Sequence, residues 1–328
     1  MEAFIQFIVQ SVRYGTPLLF GTTGEIITQK SGSLNLGVEG VMAVGAIGGF
    51  LFATWTNSLI LGILAAFVCG ALCGLLFAFL TVTLQANQNV TGLAMTIFGV
   101  GLFQFIGQNL TSGSGFPAMS AELAAKVGEN GIPLLRDIPV VGDLLFSYNP
   151  FVYLGVVIAV LCWVYLFRTR TGLKVRAVGE NPAAADGVGV NITRIKYLNI
   201  MLGCGICGIG GLYLGMVLRS GRYDGYGDWI AGYGWIAIAL VIFAAWSPAK
   251  AIGGSFLFGL LLSLQAYRGA VVSIWPAGLS WMNAIPGEFY QMLPFLLTAV
   301  ILVITSIRKK KDGGSPTALG LNYYREDR

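Results

Sequence analysis

The chain has 328 residues, of which 55% are hydrophobic and only 11% charged, against about 25% charged in soluble domains. Mean hydropathy is +0.75, and no charged side chain falls between Glu39 and Glu122, which excludes an ordinary soluble domain. The net charge of +5 comes without a basic and aromatic stripe for nucleic acid, and the absence of histidine removes imidazole bases, proton relays and metal ligands together.

These features predict an all-α polytopic membrane protein. A β-barrel would show weakly alternating segments of ~10 residues instead of long apolar runs. Nine apolar runs read as spans, at 4–28, 34–55, 58–83, 90–110, 150–167, 197–218, 232–247, 251–268 and 288–307. The count is about nine, within a range of eight to ten if one run is a broken or re-entrant pair. The chain opens Met-Glu-Ala-Phe without a basic region, so the first run is expected to be a retained helix rather than a signal peptide. The organisation predicted is a membrane domain over 1–307 and a basic tail over 308–328.

Orientation follows from the basic residues. Segment 168–196 carries six basic and two acidic residues, and the tail six and three. Segment 111–149 carries only Lys126 and Arg136 against Glu122, Glu129, Asp137 and Asp143. The positive-inside rule puts 168–196 and the tail in the cytoplasm and 111–149 outside, with the N-terminus out.

Ionisable and polar residues inside spans are the first functional candidates. Glu39 lies four positions after Asn35, which on a helix puts both on one face. A mid-bilayer carboxylate costs about 2.5–3.5 kcal/mol on insertion scales, so it needs either a buried partner or a water-filled path. Both readings stay open, and with Gly37 and Gly40 alongside, a broken helix is expected. Glu25 reads as a structural or interfacial charge paired with Lys30. Gln104 and Gln108, at i and i+4, offer donors and acceptors for hydroxyls or amides, or serve as interhelical glue. Arg219, Arg222, Asp224 and Asp228 with Tyr223, Tyr226 and Trp229 form an outer loop with aromatic belt residues.

Glycine is abundant, with 46 residues. The pairs Gly45/Gly49, Gly70/Gly74 and Gly211/Gly215 are small-xxx-small spacings that let helix backbones approach. Gly203-x-Gly-x-x-Gly208 matches a dinucleotide fingerprint by letter, and Cys204-x-x-Cys207 a redox motif, but both lie within an apolar span without the βαβ setting either needs.

The basic segment between spans has its own design. Asn181 and Pro182 supply an N-cap and first helical position, Ala183 and Ala184 continue the helix, and Gly187 and Gly189 end it. The chain has no G-x-x-x-x-G-K-[ST] loop, so an ATPase driving it would be another polypeptide. The segment then reads as the element such a motor pushes.

Several blocks resemble the permeases of ATP-binding-cassette importers of the branched-chain amino acid, ribose and nucleoside superfamily. They are residues 24–40 (GEIITQKSGSLNLGVEG), 176–186 (RAVGENPAAAD), 234–248 (GWIAIALVIFAAWSP), 291–295 (QMLPF), 316–320 (PTALG) and 323–326 (YYRE). The nearest subgroup is the nucleoside or simple-sugar uptake permeases, which usually carry Gly-Arg-Gly where this chain has Gly232-Tyr233-Gly234. The resemblance implies a type II-like importer permease in a bacterial plasma membrane, with no enzymatic activity, metal or cofactor of its own. ATP and Mg would sit on a partner ATP-binding subunit. A second permease subunit, often a non-identical sister, and an extracytoplasmic substrate-binding lipoprotein are the other implied partners. It implies nucleoside import by alternating access; the pathway candidates are those read from the spans themselves, Asn35, Glu39, Gln104 and Gln108. ATPase coupling would fall to Arg176, Gly179, Glu180, Asn181, Pro182, Ala183, Ala184, Asp186 and Gly189. A simple sugar is the alternative substrate; an ion-coupled secondary transporter is disfavoured by the few intramembrane acids.

Overall fold

A computed structural model describes residues 2–113, 115–128, 131, 142–223, 229–274, 281, 284–307 and 314–324. Among them there is no strand. The helices in chain order are α1 (Glu2–Lys30), α2 (Val38–Thr56), α3 (Leu59–Ala78), α4 (Gln88–Ser112), α5 (Ala121–Val127) and α6 (Pro150–Arg168). Then come α7 (Arg170–Glu180), α8 (Pro182–Gly187), α9 (Ile192–Tyr213), α10 (Tyr233–Phe243), α11 (Pro248–Ile274) and α12 (Gly287–Ile307). Single π-helical turns extend α3 over Phe79–Thr83 and α9 over Leu214–Leu218, and a third covers Gly142–Phe146.

Five helices, α2, α3, α4, α6 and α9, are long and apolar enough to cross a membrane by themselves. The chain is therefore a multi-pass membrane protein. Helix α9 is its axis and is almost wholly buried, whereas α3 turns most of its surface outward. That outer surface, with Ile60, Leu64, Val68 and Leu72 exposed, suits lipid rather than water.

Small residues set how closely these helices pack. A methyl group on Gly24 or Gly203 would strike the other's carbonyl, and one on Gly45 would strike Gly208. Gly70 and Gly74 face Cys204, and Gly211 faces the Met42 carbonyl. The three small-xxx-small pairs thus lie at contacts, and Gly203, Gly205 and Gly208 spend their lack of a side chain on Gly24, Phe67 and Ala66. Lipid gives no hydrophobic drive for helix association, so close backbone approach supplies the van der Waals contact instead. The cysteines are buried or half-buried and free.

Three boundaries differ from the sequence expectation. Helix α2 begins at Val38, not near 34, because the Asn35 side chain accepts the Gly37 N–H (2.8 Å) and holds a turn before the helix. Asn35 and Glu39 therefore do not share a helix face. Helix α10 has 11 residues, about 16 Å at 1.5 Å per residue, or half the ~30 Å core. The run 232–247 is thus a half-length helix plus turns. The sequence reading gives no helix before Asn181 in the basic segment; Arg170–Glu180 forms α7, an amphipathic helix with Gly172, Val175, Val178 and Gly179 buried.

The ends of the bundle sort into two faces. On one, the loop after α1, the start of α4, the α7–α8 pair and the tail residues 314–324 touch. The Ala318 N–H donates to the Gly179 carbonyl (2.9 Å) and the Gly320 N–H to that of Gly32 (3.2 Å). On the opposite face, Asn57 after α2 donates to Glu122 of α5 (2.8 Å), which also pairs with Lys126 (2.7 Å). Residues Asp224, Tyr226 and Asp228, and 308–313 of the tail, lie outside the described residues.

Candidate functional site: a half-helix and a strapped face

The blocks at 24–40 and 234–248 meet around α10. At its start, Glu39 accepts two backbone N–H groups, from Gly232 (2.7 Å) and Gly234 (2.7 Å). Glu39 is 4% exposed and stands in the first turn of α2. Its charge therefore meets the positive ends of two helices. Two charge-assisted bonds at about 1.5–3 kcal/mol each offset the insertion cost of the carboxylate without a water-filled path. Gly232, at φ +88°, occupies a left-handed position that a side chain would strain.

At the far end of α10, the Trp246 indole N–H donates to Gln29 Oε1 (2.7 Å). Gln29 Nε2 in turn donates to Glu25 (2.9 Å), which also accepts the Asn35 backbone N–H (3.2 Å). The turn itself holds Ala245 and Trp246 at φ +48° and +53°, a conformation that costs non-glycine residues about 1–3 kcal/mol each when surroundings do not hold it. Glu25 thus takes Gln29 and the Asn35 backbone rather than Lys30. Asn35 Nδ2 reaches the Cys204 thiol (3.4 Å). The half-helix is pinned at its start by Glu39 of α2 and at its far end by Gln29 of α1.

The blocks at 176–186 and 316–323 meet on the face that carries the tail. Glu180 accepts from Thr317 Oγ1 (2.8 Å) and its N–H (3.2 Å), and the Tyr323 hydroxyl donates to Asp186 (2.9 Å). Gly179 packs on the Lys30 carbonyl and Gly32, which ties this face to the block at 24–40. Arg176 lies over the Phe167 ring (5.2 Å). Asn181 caps α8 by accepting the Ala184 N–H (3.0 Å), Pro182 takes the first position, and Gly189 ends the turn at φ +81°. The surface left in solvent is small and smooth: Ala183, Ala184, Gly187 and Val188 are exposed.

Gln104 and Gln108 stand apart. They lie on the exposed side of α4, while Gly92, Met95, Gly99 and Phe103 take its α2-facing side. The structure does not bring them to Asn35 and Glu39, so the four do not form one cluster. What sequence reasoning missed is the aromatic packing at the opposite end. Trp229, 2% exposed, sits between Phe50 and Phe103 (each 5.2 Å) and Phe116 (5.8 Å), and Tyr223 stacks on Phe116 (4.9 Å). Gly215 makes room for the indole.

Residues 7–304 match the family model described as branched-chain amino acid transport system / permease component. The chain is 37% identical over 330 residues to a putative glucose ABC transporter permease protein of Haloferax volcanii, covering 96% of each. It is 33% identical over 320 residues to a nucleoside ABC transporter permease protein of Lactococcus lactis, covering 94% of this chain and 96% of the relative. It is 32% identical over 322 residues to a guanosine ABC transporter permease protein of Bacillus subtilis, covering 96% and 95%. No solved structure matches it significantly. The chain belongs to the family of branched-chain amino acid transport system permease components.

Proposed function

We propose that the chain is the membrane-spanning permease subunit of an ATP-driven importer that carries nucleosides inward by alternating access. The observation that carries this reading is the exposed α8 helix, braced through Glu180 and Asp186 on the tail, in a chain with no nucleotide-cradling loop of its own. A separate ATP-binding subunit, holding ATP and Mg, would press on α8 and its flanks over 168–196. The brace would pass that load through Gly179 to α1 and the turn before α2. A second permease subunit and a substrate-binding lipoprotein complete the assembly.

In this reading the face bearing the tail is cytoplasmic, as the excess of Lys and Arg in 168–196 and 308–328 favours. The N-terminus and 111–149 are then outside, and residues 1–307 act as one permease domain. The pathway runs beside α10, near Asn35 and Glu39, with Glu39 holding the helix rather than the substrate. The nucleoside relatives support a nucleoside. The glucose relative supports a simple sugar as the second reading.

The test is uptake of radiolabelled uridine into proteoliposomes carrying the chain, its co-purifying partners and the binding lipoprotein. ATP-dependent uptake blocked by adenosine but not by ribose or glucose is expected. Competition by the sugars alone moves the assignment to sugar import, and uptake indifferent to ATP removes the reading.

A further inference from the structure

Beside the brace, on the face that carries the tail, lies a cavity to which the transport reading assigns no ligand. It lies between the end of α3, the α8–α9 elbow and the tail, measures about 440 Å³, and is lined by Gln85, Asp186, Thr193, Lys196, Asn322 and Tyr323 among others. That size falls in the range of small-molecule sites, about 300–1,000 Å³. Its walls are already fixed by hydrogen bonds. Gln85 Nε2 donates to the Tyr323 carbonyl (3.2 Å), the Asn322 amide to the carbonyls of Gln85 and Ala86, and the Tyr323 hydroxyl to Asp186 (2.9 Å). The cavity is therefore formed before any ligand enters.

Part of its lining, Asn191 to Lys196, carries donors. The first turn of α9 opens there, capped by Asn191, which accepts the Arg194 N–H (2.9 Å). The first N–H groups of a helix have no intrahelical acceptor and favour anions. Lys196, one turn further along, lines the cavity while only 5% exposed, and makes no hydrogen bond or ion pair with a described residue. Asp186, also in the lining, accepts from the Tyr323 hydroxyl. The Lys196 ammonium offers three donors and no acceptor.

We propose that this cavity binds a phosphate-bearing ligand, its phosphate seated between the Lys196 ammonium, the Thr193 hydroxyl and the α9 N-terminus. The cavity exceeds the needs of a bare ion, so the phosphate belongs to a larger molecule, either a soluble phosphomonoester or a lipid headgroup at the membrane surface. The bound ligand bridges the α8–α9 elbow, the end of α3 and the tail. Its placement in the cytoplasm rests on the orientation proposed above; the binding does not.

The test uses the full chain with its co-purifying partners and reads binding, not transport. One arm titrates radiolabelled ribose 5-phosphate in detergent, with ribose as control. The other reconstitutes the protein in phosphatidylcholine nanodiscs with and without phosphatidylglycerol and measures retained phosphatidylglycerol. Saturable binding in one arm is expected, with ribose inert. Lys196→Met weakens it about tenfold or more, as loss of a charge-assisted hydrogen bond implies, and Lys196→Arg restores most of it. Thr193→Val, at an exposed position, weakens it severalfold without bearing on folding. Absence of saturable binding in both arms, or equal binding by wild type and Lys196→Met, overturns the proposal.

Discussion

The two ends of the bundle are held by different physics. On the face bearing the tail, segments far apart in sequence are joined by a few polar contacts: Glu180 to Thr317, Asp186 to Tyr323, Gln29 to Trp246. At the opposite end, Trp229 is packed among Phe50, Phe103 and Phe116, with Tyr223 stacked outside. Hydrogen bonds fix an arrangement through the direction of single polar groups, whereas aromatic packing does so through buried volume and ring geometry. The face bearing the tail is a polar strap, and the opposite end an aromatic plug. Substitutions at the plug should cost in proportion to the volume removed. Substitutions on the strapped face should cost in proportion to the polar partner left behind.

The largest effect is expected at the plug. Trp229→Ala should destabilise the purified protein by about 3–5 kcal/mol, the range for deleting a buried aromatic, read as a fall in unfolding midpoint in detergent. Next comes Glu39→Ala, which strips the acceptor from the Gly232 and Gly234 N–H groups. A loss of about 3 kcal/mol is expected. Glu39→Gln keeps one amide oxygen and should assemble while importing more slowly, as measured by uptake rate against membrane yield. Tyr323→Phe removes one hydroxyl from Asp186 and should cost about 1 kcal/mol, visible as faster proteolysis of the tail. The smallest effect is expected for Gln104→Leu with Gln108→Leu. Both side chains are exposed on α4, so stability should stay within about 0.5 kcal/mol; a large fall would show that α4 needs them for packing.

Much of this was legible in the chain because membrane insertion writes itself into composition. The apolar runs located the long helices, and Asn181-Pro182 announced α8 through its cap and first residue. The failures are instructive. The run at 232–247 looked like a span because hydropathy reports apolar length, not the depth at which a helix starts. Helix α7 was hidden by its charges, although Gly172, Val175, Val178 and Gly179 carried the three- and four-residue spacing of a buried face. Gln104 and Gln108 read equally as pathway or interhelical residues; in the structure they are exposed on α4, off the packing stripe of Gly92, Met95, Gly99 and Phe103. The partner of Glu39 lies about 190 positions along the chain, and no local pattern points to it.

The brace between α8 and the tail is the centre of the account, and breaking it is the direct test. Glu180→Ala with Asp186→Ala removes the contacts to Thr317 and Tyr323 and leaves the exposed face of α8 intact. In proteoliposomes with the partner ATP-binding subunit and lipoprotein, the double variant should assemble and the ATPase should turn over, while uridine uptake per ATP hydrolysed falls sharply. Wild-type uptake per ATP from the double variant would contradict the account.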